Sequence, residues 1–235
     1  MEFVKLSAPS LKELFIKEFE MMILSGRLKV GEKLPSERDL AKSMQVSRGV
    51  VNAGLSELAR KGFLQVKPRS GVHVADYRRY GTADTLLSIM NYNGGRLRRE
   101  EIRSILEMKV VLDKLAAELA IPILTEVDIA ALDGRFGALG KDLSLEEAAE
   151  AAFEFYHELA MISGNTLLPL IYRSFRAPVR HLWMRFIRKY GQETIRVDAA
   201  RILDALKARD AAAAAAAVEQ AVSGSISGAR EIYED

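Results

Sequence analysis

Two short helices joined by a tight turn and followed by a basic hairpin are predicted within Leu34–Val74, and this arrangement constrains the chain more than any other feature. Ser36 and Ser47 each stand directly before an apolar pattern with helical spacing, where a serine hydroxyl accepts a hydrogen bond from a free backbone N–H. Gln45-Val46 forms the turn between the helices. Gly62 ends the second helix. The pattern is that of a helix-turn-helix.

A third helix and a hairpin complete the predicted amino-terminal domain. Ser10 and Glu13 form a capping box that starts a helix before the pair. Phe63–Val66 and Val72–Val74 are short and rich in valine and aromatic residues, which predicts two strands joined by the turn 67–71. Residues 1–76 are therefore predicted to form a winged helix-turn-helix of three helices plus a β-hairpin, with a linker at 77–83.

The charge is distributed unevenly along the chain. Residues 1–80 carry 15 Lys and Arg against 9 Asp and Glu, whereas the remainder carries 19 against 23. A basic module beside an acidic remainder indicates that only the first part contacts a polyanion. The chain has no cysteine, which excludes disulfides and thiolate metal sites and suits a reducing compartment. No apolar run approaches the roughly 20 residues of a membrane span, and no signal peptide is recognised, so a cytoplasmic protein without a membrane partner is expected.

The rest of the chain, 84–235, has no strand pattern and is predicted to be an all-α bundle. Pro122 and Pro178 are expected to cut or kink helices. Seven consecutive alanines at 211–217 favour a helix. The helical periodicities cover 84–92, 99–120, 125–138, 144–162, 165–189, 193–208 and 210–232. The predicted fold class is mainly α, with a winged helix-turn-helix followed by a helical bundle.

The first turn of the second helix in a helix-turn-helix enters the major groove of DNA. That turn presents Arg48, Gly49 and Asn52. The guanidinium of Arg48 has the geometry to pair with guanine, and the amide of Asn52 can pair with adenine. Gly49 has no side chain, so the backbone there can lie close to DNA.

Phosphate contacts are predicted at helix starts and at the tip of the wing. Helix starts offer hydroxyls, amides and a positive dipole end to phosphates. The alternative is that these arginines are ordinary surface charges. The combination with capped helices and a basic hairpin favours DNA binding. Lys67 and Arg69 at the wing tip can follow the phosphate backbone or reach the minor groove. The predicted DNA-binding residues outside the first turn of the second helix are Ser36, Arg38, Ser47, Lys67, Arg69 and Gly71.

Residues 10–75 resemble the winged helix-turn-helix of the GntR family of bacterial transcription regulators, through GEKLPSERDLA, SRGVVNAGLSELARKGFL and RSGVHV. The resemblance implies that Arg38 and the pair Ser47-Arg48 touch an operator. Many relatives carry arginine where this chain has Asn52, which implies a different operator sequence.

Residues 82–232 resemble the all-helical FCD effector domain of the FadR branch, through IRSILEMKVVLDKLAAELA, FYHELAMISGN and ILDALKARDAAAAAAAVEQAV. The resemblance implies an effector-binding and dimerisation domain at 84–235. Many FCD domains bind a divalent metal. The corresponding positions here are Phe153, His157, Ala199 and Ala221, of which only His157 is a metal-ligand type. Metal sites need three or four ligands, so neither a metal nor another cofactor is expected.

A pocket without a metal suits a largely apolar effector with one or two polar contacts, and acyl-CoA is the analogue that the resemblance implies. Arg103 has an alternative role, an ion pair with Glu107 one turn along the helix. The small residues near the end of the chain have an alternative role in helix packing. The predicted effector-binding residues are Arg103, Phe153, Tyr156, His157 and Ser223.

The predicted function is a ligand-controlled transcription regulator that acts as a homodimer on a palindromic double-stranded operator. An effector-independent DNA-binding protein and an enzyme are the competing classes. Against an enzyme, the chain has no GxSxG, P-loop or HExxH motif and no cysteine. Tyr156, His157 and Glu158 are adjacent in sequence and point in different directions on a helix. No catalytic residue is predicted.

Overall fold

The computed structural model describes residues 9–91, 99–140 and 142–233. The chain divides into two compact units, Met1–Arg96 and Leu97–Asp235. The first unit contains α1 (Leu11–Leu24), α2 (Glu37–Ser43), α3 (Arg48–Arg60), β1 (Leu64–Lys67), β2 (Gly71–Val74), α4 (Tyr77–Tyr80) and α5 (Ala83–Asn91). The second contains α6 (Arg99–Ala120), α7 (Glu126–Gly137), α8 (Leu145–Ile162), α9 (Leu168–Ser174), α10 (Arg176–Tyr190), α11 (Gln192–Lys207) and α12 (Ala211–Ile226). The mainly α fold with one hairpin confirms the predicted fold class.

The three predicted helix starts of the first unit are confirmed. Ser10 accepts from the Glu13 amide while the Glu13 carboxylate accepts from the Ser10 amide, which completes the capping box. Ser36 and Ser47 cap α2 and α3 through their hydroxyls. The turn between these helices contains Gln45 at a φ of 54°. A single left-handed residue reverses the chain sharply enough for α2 and α3 to pack against each other.

Apolar side chains from α1, α3 and the hairpin fill the core of the first unit. Gly54 on α3 allows this packing, because a Cβ there would lie 2.3 Å from Cδ1 of Phe15. The described helices α4 and α5 belong to the same unit. Tyr77 of α4 packs on Phe63 at a ring-centroid distance of 5.7 Å, and Arg60 forms an ion pair with Asp84 of α5 at 2.7 Å.

This grouping differs from the sequence interpretation, which assigned 77–83 to a linker and 84 onwards to the effector domain. Ser88 of α5 donates to Glu20 of α1 at 2.8 Å, so α5 is tied to the first unit by a second polar contact. The limits of the functional domains, 1–76 and 84–235, stay a prediction.

The hairpin gains a third extended segment that the sequence interpretation did not include. β1 and β2 pair antiparallel, with Leu64 opposite Val74. On the other side of β2, the amide of Leu34 donates to the Val72 carbonyl at 2.9 Å, and the amide of Val74 donates to the Glu32 carbonyl at 2.9 Å. Residues 31–34 therefore join the wing directly to the chain that enters α2.

In the second unit α6 packs against α8 and α12, α8 packs against α7 and α10, and α11 packs against α12. The start of α6 and its end at Ala120 agree with the predicted span 99–120. None of the helices in the described part of the chain is long and apolar enough to cross a membrane.

Two predicted helix limits in the second unit are wrong. The span 165–189 is two helices that meet at Phe175. Pro178 does not break the second of them, because it lies in the first turn of α10, where a backbone N–H has no acceptor within the helix. The last helix ends at Ile226 instead of 232. Its end lies in a run of serine and glycine, residue types that favour other backbone conformations over a helix interior, and Gly228 has a φ of 147°.

Candidate nucleic-acid interface and ligand cavity

The first turn of α3 presents Arg48, Gly49 and Asn52 to solvent. The opposite face of the helix holds Val51 and Leu58, both with no exposed surface, against the core. This division fixes which face of α3 is free to enter a groove. It also follows from the apolar spacing of the helix, which is why the sequence was sufficient to predict it.

Asn52 has a neighbour that the sequence interpretation missed. Its side-chain nitrogen Nδ2 donates to Oε1 of Glu37, in the first turn of α2, at 3.4 Å. The carboxylate therefore holds the amide nitrogen and turns the amide oxygen away from α2. The two residues are 15 positions apart, and only the packing of α2 on α3 brings them together.

The wing tip is shaped by two residues in left-handed backbone conformations, Arg69 at a φ of 61° and Gly71 at 103°. Lys67, Arg69 and Gly71 are exposed. Lys33 is a further cation beside them. Its backbone forms an antiparallel β-bridge with His73 on β2, and its side-chain Cε would lie 3.4 Å from a Cβ placed on Gly71. The sequence signal for Lys33 was its place in GEKLPSERDLA, but no periodicity indicated that this segment pairs with the wing.

Three predicted phosphate-contacting residues lie at the starts of α2 and α3. The Ser36 hydroxyl donates to Asp39 at 2.6 Å and the Ser47 hydroxyl accepts from the Val50 amide at 3.2 Å, so both already serve as caps. Arg38 is exposed and lies 3.9 Å from the Asp39 carboxylate, an open ion pair of little strength. All nine residues predicted to contact DNA are exposed on the first unit.

The second unit buries a charged pair on α6. Lys109 is 8% exposed and Asp113 is 0% exposed, and the Lys109 ammonium donates to the Asp113 carboxylate one turn away. The hydroxyl of Tyr172 on α9 donates to the other carboxylate oxygen. Burial lowers the pKa of Lys109 and raises the pKa of Asp113, and each charge opposes the shift of its partner. A buried pair of this kind costs desolvation free energy that its mutual attraction only partly offsets.

Aromatic rings surround the ammonium group. Nζ of Lys109 lies 3.5 Å from the ring centroid of Tyr156 and 5.3 Å from that of Trp183, and these two rings stack at 5.7 Å. Burial raises the pKa of Tyr156 well above its ordinary value, so its hydroxyl stays protonated. The Tyr156 hydroxyl and the Trp183 indole N–H have no hydrogen-bond partner within the part of the chain that the structure describes.

A narrow cavity adjoins this pair. Its volume of about 20 Å³ holds roughly one water molecule. Lys109, Trp183 and Ser225 supply its polar groups. Each can donate a hydrogen bond, and the Ser225 hydroxyl can also accept one. Its remaining wall is apolar, formed by Ile105, Leu106, Val179, Leu182, Phe186, Ala221, Val222 and Ile232.

The five residues predicted to bind an effector do not line this cavity. Arg103 is exposed and forms the alternative ion pair with Glu107 at 2.7 Å. Phe153 is buried and its ring stacks on that of His157 at 5.7 Å. Tyr156 reaches the cavity only through Lys109 and Trp183, and Ser223 is half-buried. Their part in effector binding stays a prediction.

Lys109 and Asp113 are the residues that sequence reasoning missed. A signal was present, since both stand on the same face of α6 as the buried Ile102, Ile105 and Ala116. A charged residue on the apolar face of an amphipathic helix marks a buried polar site.

The positions that hold a metal in related FCD domains do not fit one here. Phe153, Ala199 and Ala221 are buried and have no ligand atom in their side chains, and His157 packs on a phenyl ring. No group of three or more potential ligand residues is placed to hold a metal ion among residues 9–91, 99–140 and 142–233.

Comparison with known proteins agrees with this two-unit architecture. Residues 15–74 match the family of bacterial regulatory proteins, gntR family, and residues 104–224 match the FCD domain. The HTH-type transcriptional regulator LutR of Bacillus subtilis is 29% identical over 208 residues, covering 84% of this chain and 91% of LutR. The HTH-type transcriptional regulator Mce2R of Mycobacterium tuberculosis is 30% identical over 172 residues, covering 72% of this chain and 70% of Mce2R.

A solved structure shares the fold. Lar, which controls the expression of the Listeria monocytogenes agr system, has a TM-score of 0.61 at 16% identity and covers 94% of this chain and 97% of its own. A winged helix-turn-helix followed by an FCD bundle defines a class of DNA-binding transcription regulators. The chain belongs to the GntR family, in the group that carries an FCD domain. Its families and relatives are transcription regulators and not enzymes, which confirms the prediction that it is not an enzyme.

Proposed function

We propose that this regulator binds a palindromic double-stranded operator as a homodimer, with Arg48 and Asn52 reading bases. The exposed first turn of α3 supports the proposal, because its apolar back face leaves only these side chains free to meet a groove. Arg48 pairs with guanine, and Asn52, held by Glu37 through one N–H, keeps its oxygen and second N–H for adenine. Such a regulator works in the cytoplasm, where its operator lies.

Lys67, Arg69 and Lys33 hold the edge of the duplex through phosphates. All three belong to the wing or to the segment paired with it. Ser36, Arg38, Ser47 and the backbone at Gly49 and Gly71 complete the contact surface. Phosphate contacts set position and affinity, whereas Arg48 and Asn52 set the sequence.

The helical unit binds a small-molecule effector of largely apolar character with an acidic head. The cavity beside Lys109 supports this assignment, since its polar groups are donors and its wall is otherwise apolar. An acyl-CoA or a similar apolar acid needs far more room than about 20 Å³, so binding requires the cavity to open. An effector changes operator binding only if it binds one arrangement of the dimer more tightly than another.

The double variant Arg48→Ala with Asn52→Ala tests operator recognition. Electrophoretic mobility shift with the upstream region of its own gene is the measurement. We expect each lost base contact to weaken specific binding by about 1–3 kcal/mol, which is roughly 5- to 150-fold. Arg27→Ala is the matched control, because Arg27 is an exposed arginine paired with Glu18 at 3.1 Å outside the proposed interface. Unchanged operator discrimination in the double variant would contradict the proposal.

Thermal unfolding with a panel of organic acids and acyl-CoA compounds tests effector binding. A ligand that binds the folded state raises the unfolding temperature by mass action. Lack of any shift, together with specific operator binding, would instead favour an effector-independent regulator.

A further inference from the structure

The chain continues after α12 as a short non-helical segment, residues 227–233, called here the C-terminal strap. Side chains of α10 hold its backbone. Lys189 and Tyr190 donate to the Glu231 carbonyl at 3.0 and 2.8 Å, and Arg185 donates to the Ile232 carbonyl at 3.5 Å. Side chains of α10 therefore bind the strap backbone. Within the strap, only the amide of its first residue, Ser227, makes a helical hydrogen bond.

Arg230 anchors the middle of the strap. Its guanidinium donates to the Asp198 carboxylate on α11 at 2.7 Å and to the Gln220 carbonyl on α12 at 2.9 Å. Asp198 is 5% exposed, and burial raises its pKa, which Arg230 opposes. The anchor therefore spans two helices and fixes the direction in which the strap runs.

The anchored strap places Ile232 inside the helical unit. Ile232 is 2% exposed and lines the cavity together with Lys109, Trp183 and Ser225. Both Ser225 and Ile232 lie beyond the FCD match, which ends at residue 224. Part of the cavity wall is therefore supplied by sequence that the family domain does not include.

We propose that the C-terminal strap completes the ligand site and that Ile232 occupies the place taken by the aliphatic part of an acidic ligand. The inference rests on the proposed effector role of this cavity. The cavity in its present shape holds about one water, so a ligand needs a wall that can move. The helices around it are fixed by continuous backbone hydrogen bonds. The strap has backbone bonds from the Ser227 and Arg230 amides to the Ser223 and Gly224 carbonyls and is otherwise held by side chains, so it opens at a lower free-energy cost.

The ligand class follows from the groups that the strap covers. Lys109 and Trp183 both line the cavity, with the ammonium 5.3 Å from the centroid of the indole ring, and the indole N–H has no acceptor in the described structure. A carboxylate supplies that acceptor, and the Lys109 ammonium, which gives one N–H to Asp113, has further N–H groups to offer it. An aliphatic chain of a few carbons replaces the side chain of Ile232 against Phe186 and Val222. The site therefore fits a short aliphatic carboxylic acid.

Fluorescence of Trp183, the only tryptophan of the sequence, reports on the strap without any knowledge of the natural effector. Acrylamide quenching is measured on the full-length protein, on Ile232→Ala and on a chain that ends after Ser227. Truncating the Ile232 side chain or removing the strap opens the cavity to acrylamide. We therefore expect the quenching constant of Trp183 to rise roughly twofold or more in both variants. Ala229→Ser, an exposed strap position, is the matched control and should leave quenching unchanged.

Circular dichroism on the same samples separates opening of the strap from unfolding. If the shortened chain loses helix, Ile232→Ala and Ile232→Ser decide the question. Unchanged quenching in a folded Ile232→Ala protein overturns the proposal.

Titration with octanoate tests the ligand class on the same proteins, with 1-octanol as the control that lacks a carboxylate. We expect Ile232→Ala to bind octanoate roughly fivefold more tightly than the parent protein, because the ligand no longer has to displace the Ile232 side chain. Octanoate binding of equal strength in both proteins contradicts the proposal. Raised quenching without octanoate binding supports closure of the cavity by the strap and counts against an acidic effector. Failure of the strap proposal is thereby distinguished from failure of the proposed effector class.

Discussion

The two units of this regulator differ in whether charged side chains are buried in their cores. In the described part of the first unit, the buried side chains are apolar apart from Thr85, and the least exposed ion pair, between Lys61 and Glu20, keeps 19% and 14% of its side chains exposed. The second unit buries Lys109, Asp113, Arg185 and Asp198. Buried charges seldom add stability, and Lys109 also lines the cavity, so its pair with Asp113 is better explained by function. This contrast agrees with the proposed roles, because a unit that binds DNA with its surface needs only a well-packed core, whereas a unit that encloses a small molecule needs polar groups in its interior.

The strongest test of this contrast is to break the buried pair of the second unit. Lys109→Met leaves the Asp113 carboxylate buried without its cation, and we expect a loss of about 3–5 kcal/mol in unfolding free energy. Lys109→Met combined with Asp113→Asn removes both charges and keeps an acceptor for Tyr172, so most of the loss should return. Urea unfolding followed by Trp183 fluorescence measures the helical unit. A single variant as stable as the parent would show that the pair is not buried in solution.

The first unit should respond to steric change in its apolar core instead. Gly54→Ala places a Cβ 2.3 Å from Phe15, and overpacking of this kind costs about 1–3 kcal/mol. Gly134→Ala on α7, where an added Cβ meets nothing within 4 Å, is the control and should stabilise the protein by about 0.5–1 kcal/mol. Differential scanning calorimetry resolves both effects. Equal stability of Gly54→Ala and the parent would mean that α1 and α3 pack more loosely than described.

The smallest expected effect concerns the wing. Lys67→Gln and Lys33→Gln each remove one phosphate contact, so each should reduce the slope of log affinity against log salt concentration by about 1 without changing sequence preference. Operator titrations at several salt concentrations give the slopes. Lys12→Gln, an exposed lysine on α1, provides the comparison variant. If Lys33→Gln behaves like Lys12→Gln, residues 31–34 pair with the wing but do not reach the duplex.

The sequence was most informative where structure depends on neighbouring residues. The hydroxyl caps at Ser10, Ser36 and Ser47 and the apolar spacing of α3 predicted the helix starts and the free face of the first unit. Pro178 indicated an interruption, but the break lies three residues earlier, at Phe175, and the apolar periodicity continues through it.

The cavity could not be predicted in the same way. Lys109 and Trp183 stand on α6 and α10, and only tertiary packing brings the ammonium to 5.3 Å from the indole. The pairing of Glu37 with Asn52 depends equally on how two helices pack. Motif resemblance predicted the family and the positions expected to contact an operator. Of the four positions that correspond to metal ligands in related domains, Ala221 lines the cavity beside Lys109, whereas Phe153, His157 and Ala199 do not.

The backbone pairing of residues 31–34 with β2 has a mechanical consequence. Leu34 is hydrogen-bonded to Val72, and the cap of α2 follows only two residues later at Ser36. If the wing tip binds a phosphate as proposed, a displacement of the wing is therefore transmitted to the start of α2, and through Glu37 to the amide of Asn52. The wing and the start of α2 are thereby coupled through backbone hydrogen bonds, so a substitution that breaks the pairing of residues 31–34 with β2, unlike the loss of one lysine side chain, is expected to shift Glu37 and with it the amide of Asn52.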